Sequence, residues 1–234
     1  MNTQNHPKAE LSSASYEDMM KAGMHYGRRR SVFHPGMGPY VHTLKENIYI
    51  IDLFKTVEAV QKAVAMIKQA LADRKTILFV APTKQASAGI ESLAKSLNMP
   101  YVVDRWLGGT LTNFKTIQQR VRHMEQLEHE QKTGGFEKYT KKERVLKDKE
   151  IEKLNKKFTG LRNLTSIPDV LFVASVKHGH LSIHEAHLTK VKTIAICNTD
   201  SDPKQVDIAI PANDNAKRSI DLLLSMIAKE LETI

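Results

Sequence analysis

Short apolar runs punctuate the chain at Asn47–Ile51, Thr76–Ala81, Tyr101–Asp104, Val170–Ser175, Thr193–Cys197 and Ile208–Pro211, each bounded by turn or helix signals. Runs of this length without polar alternation predict strands buried on both faces. Between several of them the apolar spacing changes to three and four, as in Val57, Val60, Val64, Ile67 and Leu71, or Ala88, Leu93, Ala94 and Leu97, which predicts helices. Alternating strands and helices call for an α/β fold: a mostly parallel sheet, right-handed crossovers and helices on both faces, closed by an amphipathic helix over Ala216–Leu231. Residues 16–23 add a short leading helix.

The alternation stops between Leu111 and Gly160, where the chain is rich in lysine and glutamate. Phe114, Ile117, Val121 and Met124 form one apolar stripe, and Ile151, Leu154, Phe158 and Leu161 form another, separated by the turn signal Thr133-Gly134-Gly135. This predicts an antiparallel coiled-coil hairpin, inserted over residues 112–160, whose remaining positions are too charged to be buried. The α/β domain is then residues 16–111 and 161–234, and the polar residues 1–15 form a flexible N-terminal extension. That extension has no apolar core after a basic start, so no secretory signal is expected and the start is read as mature.

Charge narrows the function. The chain carries 35 Lys and Arg against 26 Asp and Glu, a formal +9, and such an excess attracts polyanions through phosphate neutralisation and counterion release. The excess is concentrated in two windows. Residues 21–45 hold Lys21, Arg28, Arg29, Arg30 and Lys45 with no acid, among His25, Tyr26, Phe33, His34 and Tyr40, and residues 115–162 hold fourteen basic against eight acidic side chains. Three adjacent guanidiniums flanked by glycines, prolines and aromatics predict an ordered, nucleic-acid-facing loop. Candidate nucleic-acid contacts are His25, Tyr26, Arg28, Arg29, Arg30 and Lys45 in the first window, Lys115, Arg120, Arg122, Lys141, Lys142 and Arg144 in the second, where a plain solvated surface is the alternative, and Arg105 outside both. His25 and Tyr26 either stack on a splayed base or only pack the loop.

An enzyme reading finds less support. Neither GxGxxG nor GxxxxGK[ST] follows Thr76–Ala81, where Pro82-Thr83-Lys84-Gln85 stands instead. Asp52, Asp104, Asp200, Asp202 and Asp207 fall near strand ends, where caps and turns account for them. His178, His180 and His184 are candidate zinc ligands, with His187 or Asp202 to complete the set, because His180 and His184 share a helical i, i+4 face; no other cofactor is expected. The single cysteine, Cys197, excludes an internal disulfide and a thiolate cage, indicates a reducing compartment, and reads as a small core residue. No run of 18 apolar residues is present, so no membrane-spanning helix is expected.

The most distinctive string is Arg105-Trp106-Leu107-Gly108-Gly109-Thr110-Leu111-Thr112-Asn113: a bend through two glycines, then capping residues for a helix, with Trp106 expected in the core. Followed by Phe114-Lys115-Thr116-Ile117, it resembles the small-subunit ribosomal protein two family. Ala22-Gly23-Met24-His25-Tyr26-Gly27, Ile51-Asp52-Leu53-Phe54-Lys55-Thr56, Phe79–Gln85, Ile167–Val173, Asn198–Pro203 and Ile210–Ala216 resemble further family motifs in the same order, so the likeness spans residues 16–232. Arg28 stands where the family often has histidine, Phe33 where it has tryptophan, and Ser175-Val176 where it has Asp-Pro. The resemblance implies a Rossmann-like fold with a coiled-coil hairpin and a non-enzymatic, structural role in a cytoplasmic small ribosomal subunit. It implies rRNA contact at the head–body junction, neighbouring ribosomal proteins including ribosomal protein one as partners, and no small-molecule substrate or membrane.

Overall fold

A computed structural model describes residues 15–136 and 138–232; of the expected N-terminal extension, all but Ser15 lies outside the described residues. The elements run α1 (Tyr16–Lys21), β1 (Tyr26–Arg29), β2 (Val41–Lys45), β3 (Ile48–Ile51), α2 (Leu53–Ala72), β4 (Ile77–Val80), α3 (Lys84–Ser96), β5 (Tyr101–Val102), α4 (Phe114–Lys132), α5 (Lys141–Phe158), β6 (Val170–Val173), α6 (His180–Thr189), β7 (Lys192–Cys197), β8 (Ile208–Pro211) and α7 (Lys217–Glu232).

Five strands form a parallel sheet in the order β5-β4-β6-β7-β8. The chain starts this sheet at β4, adds β5 on one side, then crosses to the other side of β4 for β6, which makes the β4/β6 boundary a topological switch point. Strand alternation divides the core in two. Phe79, Phe172, Ile194, Ile196 and Ile210 face α2, α3 and α7, with the Phe79 and Phe172 rings 5.5 Å apart on paired strands. Leu78, Val80, Leu171, Val173 and Cys197 face the other layer, against Trp106, Ile117, Val121, Phe158 and Ile183. Burial on both faces is why these strands read as unbroken apolar runs. The helices read as their spacing predicts, with one change: the inward stripe of α3 is Ala86, Ile90, Leu93 and Ala94, and Ala88 is exposed.

The first basic window is a loop only in part: Arg28 and Arg29 lie on β1 and Lys45 on β2, while Arg30 opens one of two 3-10 turns, Arg30–Val32 and Pro35–Tyr40, that join those strands. Together with the run at Asn47–Ile51 it makes a separate antiparallel sheet, β1-β3-β2, so β3 lies outside the parallel sheet in which its apolar run would place it. β1 and β2 are short and largely exposed, so neither carries the apolar periodicity by which a strand is recognised.

Helices α4 and α5, joined by residues 133–140, lie against each other. Ile117, Val121 and Met124 of α4 and Phe158 of α5 belong to the second core layer, while Leu127, Phe136 and Ile151 make a small cluster of their own farther along the pair. Gln131 donates to Asp148 at 2.9 Å, and Arg162 grips Glu128 of α4 through two hydrogen bonds of 2.8 and 2.6 Å. Gly134, at φ +76°, makes the turn. Thr140 and Glu143 then cap α5 reciprocally.

Candidate nucleic-acid interface

The motif at 105–113 ends β5 and wraps one carboxylate. Glu185 of α6 is buried and accepts from Trp106 Nε1 at 3.0 Å, Gly109 N at 2.9 Å and Leu111 N at 3.0 Å, and from Thr112 N at 3.3 Å and Thr112 Oγ1 at 3.2 Å. Burial pushes this carboxyl up, but the donors from Trp106, Leu111, Gly109 and Thr112 together hold it below the ordinary value. Gly109 sits at φ +88°, a backbone conformation that lets successive N–H groups converge on one acceptor. The motif therefore locks the start of α4 onto α6, and Trp106 is a core residue as expected. Glu185 itself escapes sequence reading, because the histidines around it draw attention to metal binding instead.

A second buried network closes the carboxyl ends of β6, β7 and β8, the end at which open α/β sheets bind ligands. Asp214, fully buried, accepts from Ser175 Oγ at 2.6 Å, Asn198 Nδ2 at 2.9 Å and the Arg28 guanidinium at 3.2 Å. Asp200, whose side chain is also buried, pairs with Lys177 at 2.7 Å and lies 3.3 Å from Arg28 Nε, an ionic contact without hydrogen-bond alignment. Arg28 further donates to Asn215 Oδ1 at 2.9 Å, and its backbone N–H donates to Thr199 Oγ1 at 2.7 Å. A Cβ on Gly27 would lie 2.6 Å from Thr199 Cγ2, so only glycine lets β1 approach this closely. Arg28 differs from the phosphate contact that its place in the Arg-Arg-Arg run suggests: its charge is neutralised inside the protein, and it joins the antiparallel sheet to the parallel one.

Its neighbours are left free. Arg29 and Lys45 are paired through Ile48 in the register of β1, β3 and β2, so the three side chains lie in one row on one face. Arg29, Arg30 and Lys45 are exposed and have no ion-pair partner among the described residues. The His25 and Tyr26 rings lie 4.1 Å apart; His25 Nδ1 is buried with no hydrogen-bond partner among the described residues, and burial lowers its basicity, while Tyr26 is half exposed. Beside them is an apolar hollow of about 350 Å³ lined by Tyr16, Met20, His25, His42, Ile50 and Phe54.

The remaining candidates are dispersed. Arg105 is exposed, as are Lys115, Arg120 and Arg122 on α4 and Lys141, Lys142 and Arg144 on α5, with Arg144 donating to Tyr139 O at 3.0 Å. The zinc candidates His178, His180 and His184 are exposed, and among the described residues no three His, Cys, Asp or Glu are grouped to hold a metal ion. Their i, i+4 spacing lies on a solvent face, and His187 instead meets Gln205 O at 2.7 Å. Asp52 and Asp202 are caps, and Asp207 binds Thr193 and Lys192. Cys197 is fully buried, and burial, with Asp214 and Asp202 nearby, pushes its thiol far above the ordinary range, so it remains protonated in the core.

The ligand-binding end of the α/β sheet is thus filled by the protein's own ion pairs, while Arg29, Arg30 and Lys45 at the antiparallel sheet are exposed with no ion-pair partner among the described residues. Comparison with known proteins gives the family: the description "Ribosomal protein S2" matches residues 19–233, and the chain belongs to that family. It is similar to small ribosomal subunit protein uS2 of Saccharophagus degradans, 39% identical over 218 residues that cover 93% of this chain and 89% of the relative. It is also similar to small ribosomal subunit protein uS2 of Bifidobacterium longum, 40% identical over 219 residues that cover 93% and 78%.

Proposed function

We propose that this chain is a structural component of the small ribosomal subunit that binds rRNA at the head–body junction through the exposed face of its antiparallel sheet. The observation that carries the reading is the segregation of charge at the antiparallel sheet: Arg28 is neutralised by Asp200 and Asp214, whereas Arg29 at the end of β1, Arg30 in the turn after it and Lys45 at the end of β2 are exposed with no ion-pair partner among the described residues. Double-helical RNA hides its base edges in a deep, narrow groove, so a short row of cations would read backbone and shape rather than sequence. Replacing Arg29, Arg30 and Lys45 by alanine tests this. The variant should be depleted from the small-subunit fraction of a sucrose gradient, the more so in high salt; wild-type occupancy at both salt concentrations overturns the assignment.

The reading extends to neighbours. Support for docking of ribosomal protein one fits the apolar hollow, where Met20 and Phe54 are half exposed beside α1, a surface suited to protein side chains and not to phosphates. Phe54→Asp should lower the amount of protein one on purified small subunits while rRNA and this chain remain. Unchanged protein one on those particles would contradict the docking site.

A further inference from the structure

Helices α3 and α7 pack side by side on one face of the parallel sheet and leave a groove of about 320 Å³ open to solvent between them. A Cβ on Gly89 would lie 2.8 Å from Leu224 Cδ1 and 3.1 Å from Asp221 Oδ1, so the helices touch there and the Asp221 carboxylate leans over α3. The floor is apolar, made by Gly89, Leu93, Leu224 and Ala228. The hydroxyls of Ser96 and Ser225 donate to Leu93 O at 2.8 Å and Leu222 O at 2.7 Å within their own helices, so neither asks the groove for a partner.

The rim is acidic. Asp221 and Glu232 line the groove, and no Lys or Arg stands among its described lining residues. At about 100° and 1.5 Å per residue, these two carboxylates lie within about 20° of arc and about 16 Å apart along α7. Glu17, Asp73, Glu91 and Asp207 are each held by a lysine, whereas Asp221 and Glu232 have no ion-pair partner among the described residues. Glu232 also stands in the last turn of α7, where the helix dipole disfavours an anion. A cation from outside would relieve both conditions. Proteins that share a polyanionic surface carry an excess of Lys and Arg, as this chain does at +9, so cationic segments are the neighbours such a rim suits. A phosphate backbone would be repelled by the same two carboxylates.

We propose that the groove between α3 and α7 docks a cationic segment of a neighbouring small-subunit protein, whose Lys or Arg side chains reach Asp221 and Glu232 while its small apolar side chains lie on the floor. The inference rests on the small-subunit reading above and adds a protein-facing surface on the layer of α2, α3 and α7.

The test places a photoreactive benzophenone on the rim through Ser92→Cys in the full chain; Ser92 is exposed, and the single natural cysteine, Cys197, is fully buried and escapes the label. Labelled protein is assembled into small subunits, irradiated, and its adducts are identified by mass spectrometry. The adduct should fall on a Lys- or Arg-rich segment of one neighbouring protein, and its yield should drop about tenfold when Asp221→Lys and Glu232→Lys are added, with circular dichroism showing the variant folded. Adducts only with rRNA, adducts only with a second copy of this chain, or no adduct at all overturn the proposal, as does an unchanged yield in the charge-reversed variant. Each of those outcomes leaves the broader reading standing as long as the labelled chain sediments with the small subunit. Absence of the unlabelled chain from that fraction sinks both.

Discussion

Arg28 and Arg29 are adjacent on one strand and differ in everything but side chain. Arg28 turns into the carboxyl end of the parallel sheet and shares two buried carboxylates with Ser175, Asn198 and Lys177. Arg29 turns outward, in line with Lys45 across Ile48. Strand alternation separates the two by one residue. The contrast teaches that the basic run is divided by the fold: one guanidinium joins the antiparallel sheet to the parallel one, and the other two are exposed on the outer side. The ligand-binding end of the α/β sheet is thereby used for internal attachment.

The internal side can be broken most severely at Asp214. Asp214→Ala leaves the half-buried Arg28 charge, the Ser175 hydroxyl and the Asn198 amide without their shared acceptor, and should cost about 3 kcal/mol or more. A denaturant midpoint within error of wild type would show that the network does not hold the two sheets together.

Glu185→Gln comes next. It keeps the shape but replaces one accepting oxygen by an NH2 donor, which then faces either the Trp106 and Gly109 donors or those of Leu111 and Thr112 and leaves them unsatisfied, at a cost of about 2 kcal/mol. The carboxyl is held below its ordinary 4.5 in the folded protein. Its contribution is therefore complete at pH values above that range and is lost as pH falls through the folded value. The stability gap between wild type and Glu185→Gln should narrow as solutions are acidified below pH 4.5. A gap that stays constant into strong acid would mean that the carboxylate charge is not what the loop holds.

The outer face should give the smallest effect on stability. Removing the side chains of Arg29, Arg30 and Lys45 breaks no ion pair among the described residues and should change unfolding free energy by no more than about 0.5 kcal/mol. A large loss of stability would erase the distinction between the inner arginine and the outer ones.

What could be read from the sequence follows the same division. Strands β4, β6, β7 and β8 are buried on both faces, so their apolar runs announce them, and α2 and α7 announce themselves by spacing. β1 and β2 bury too little to leave a pattern, so a small sheet reads as a loop. Arg28 looks like its neighbours because its partners, Asp200 and Asp214, are far along the chain and only the fold brings them together. The histidine spacing on α6 suggests zinc because periodicity places residues on a common face without saying which way the face points, and this one points to solvent. Glu185, between His184 and His187, is the residue of α6 that the segment 105–113 wraps.

The salt dependence of RNA binding by Arg28→Gln, set beside that of the Arg29, Arg30 and Lys45 triple alanine variant at a temperature where both stay folded, tests the division most directly. The slope of log K against log salt should equal that of wild type for Arg28→Gln and should fall by about 3 for the triple variant. A slope that falls for Arg28→Gln, or stays at the wild-type value for the triple variant, would contradict the assignment of the inner arginine to the fold and the outer cations to RNA.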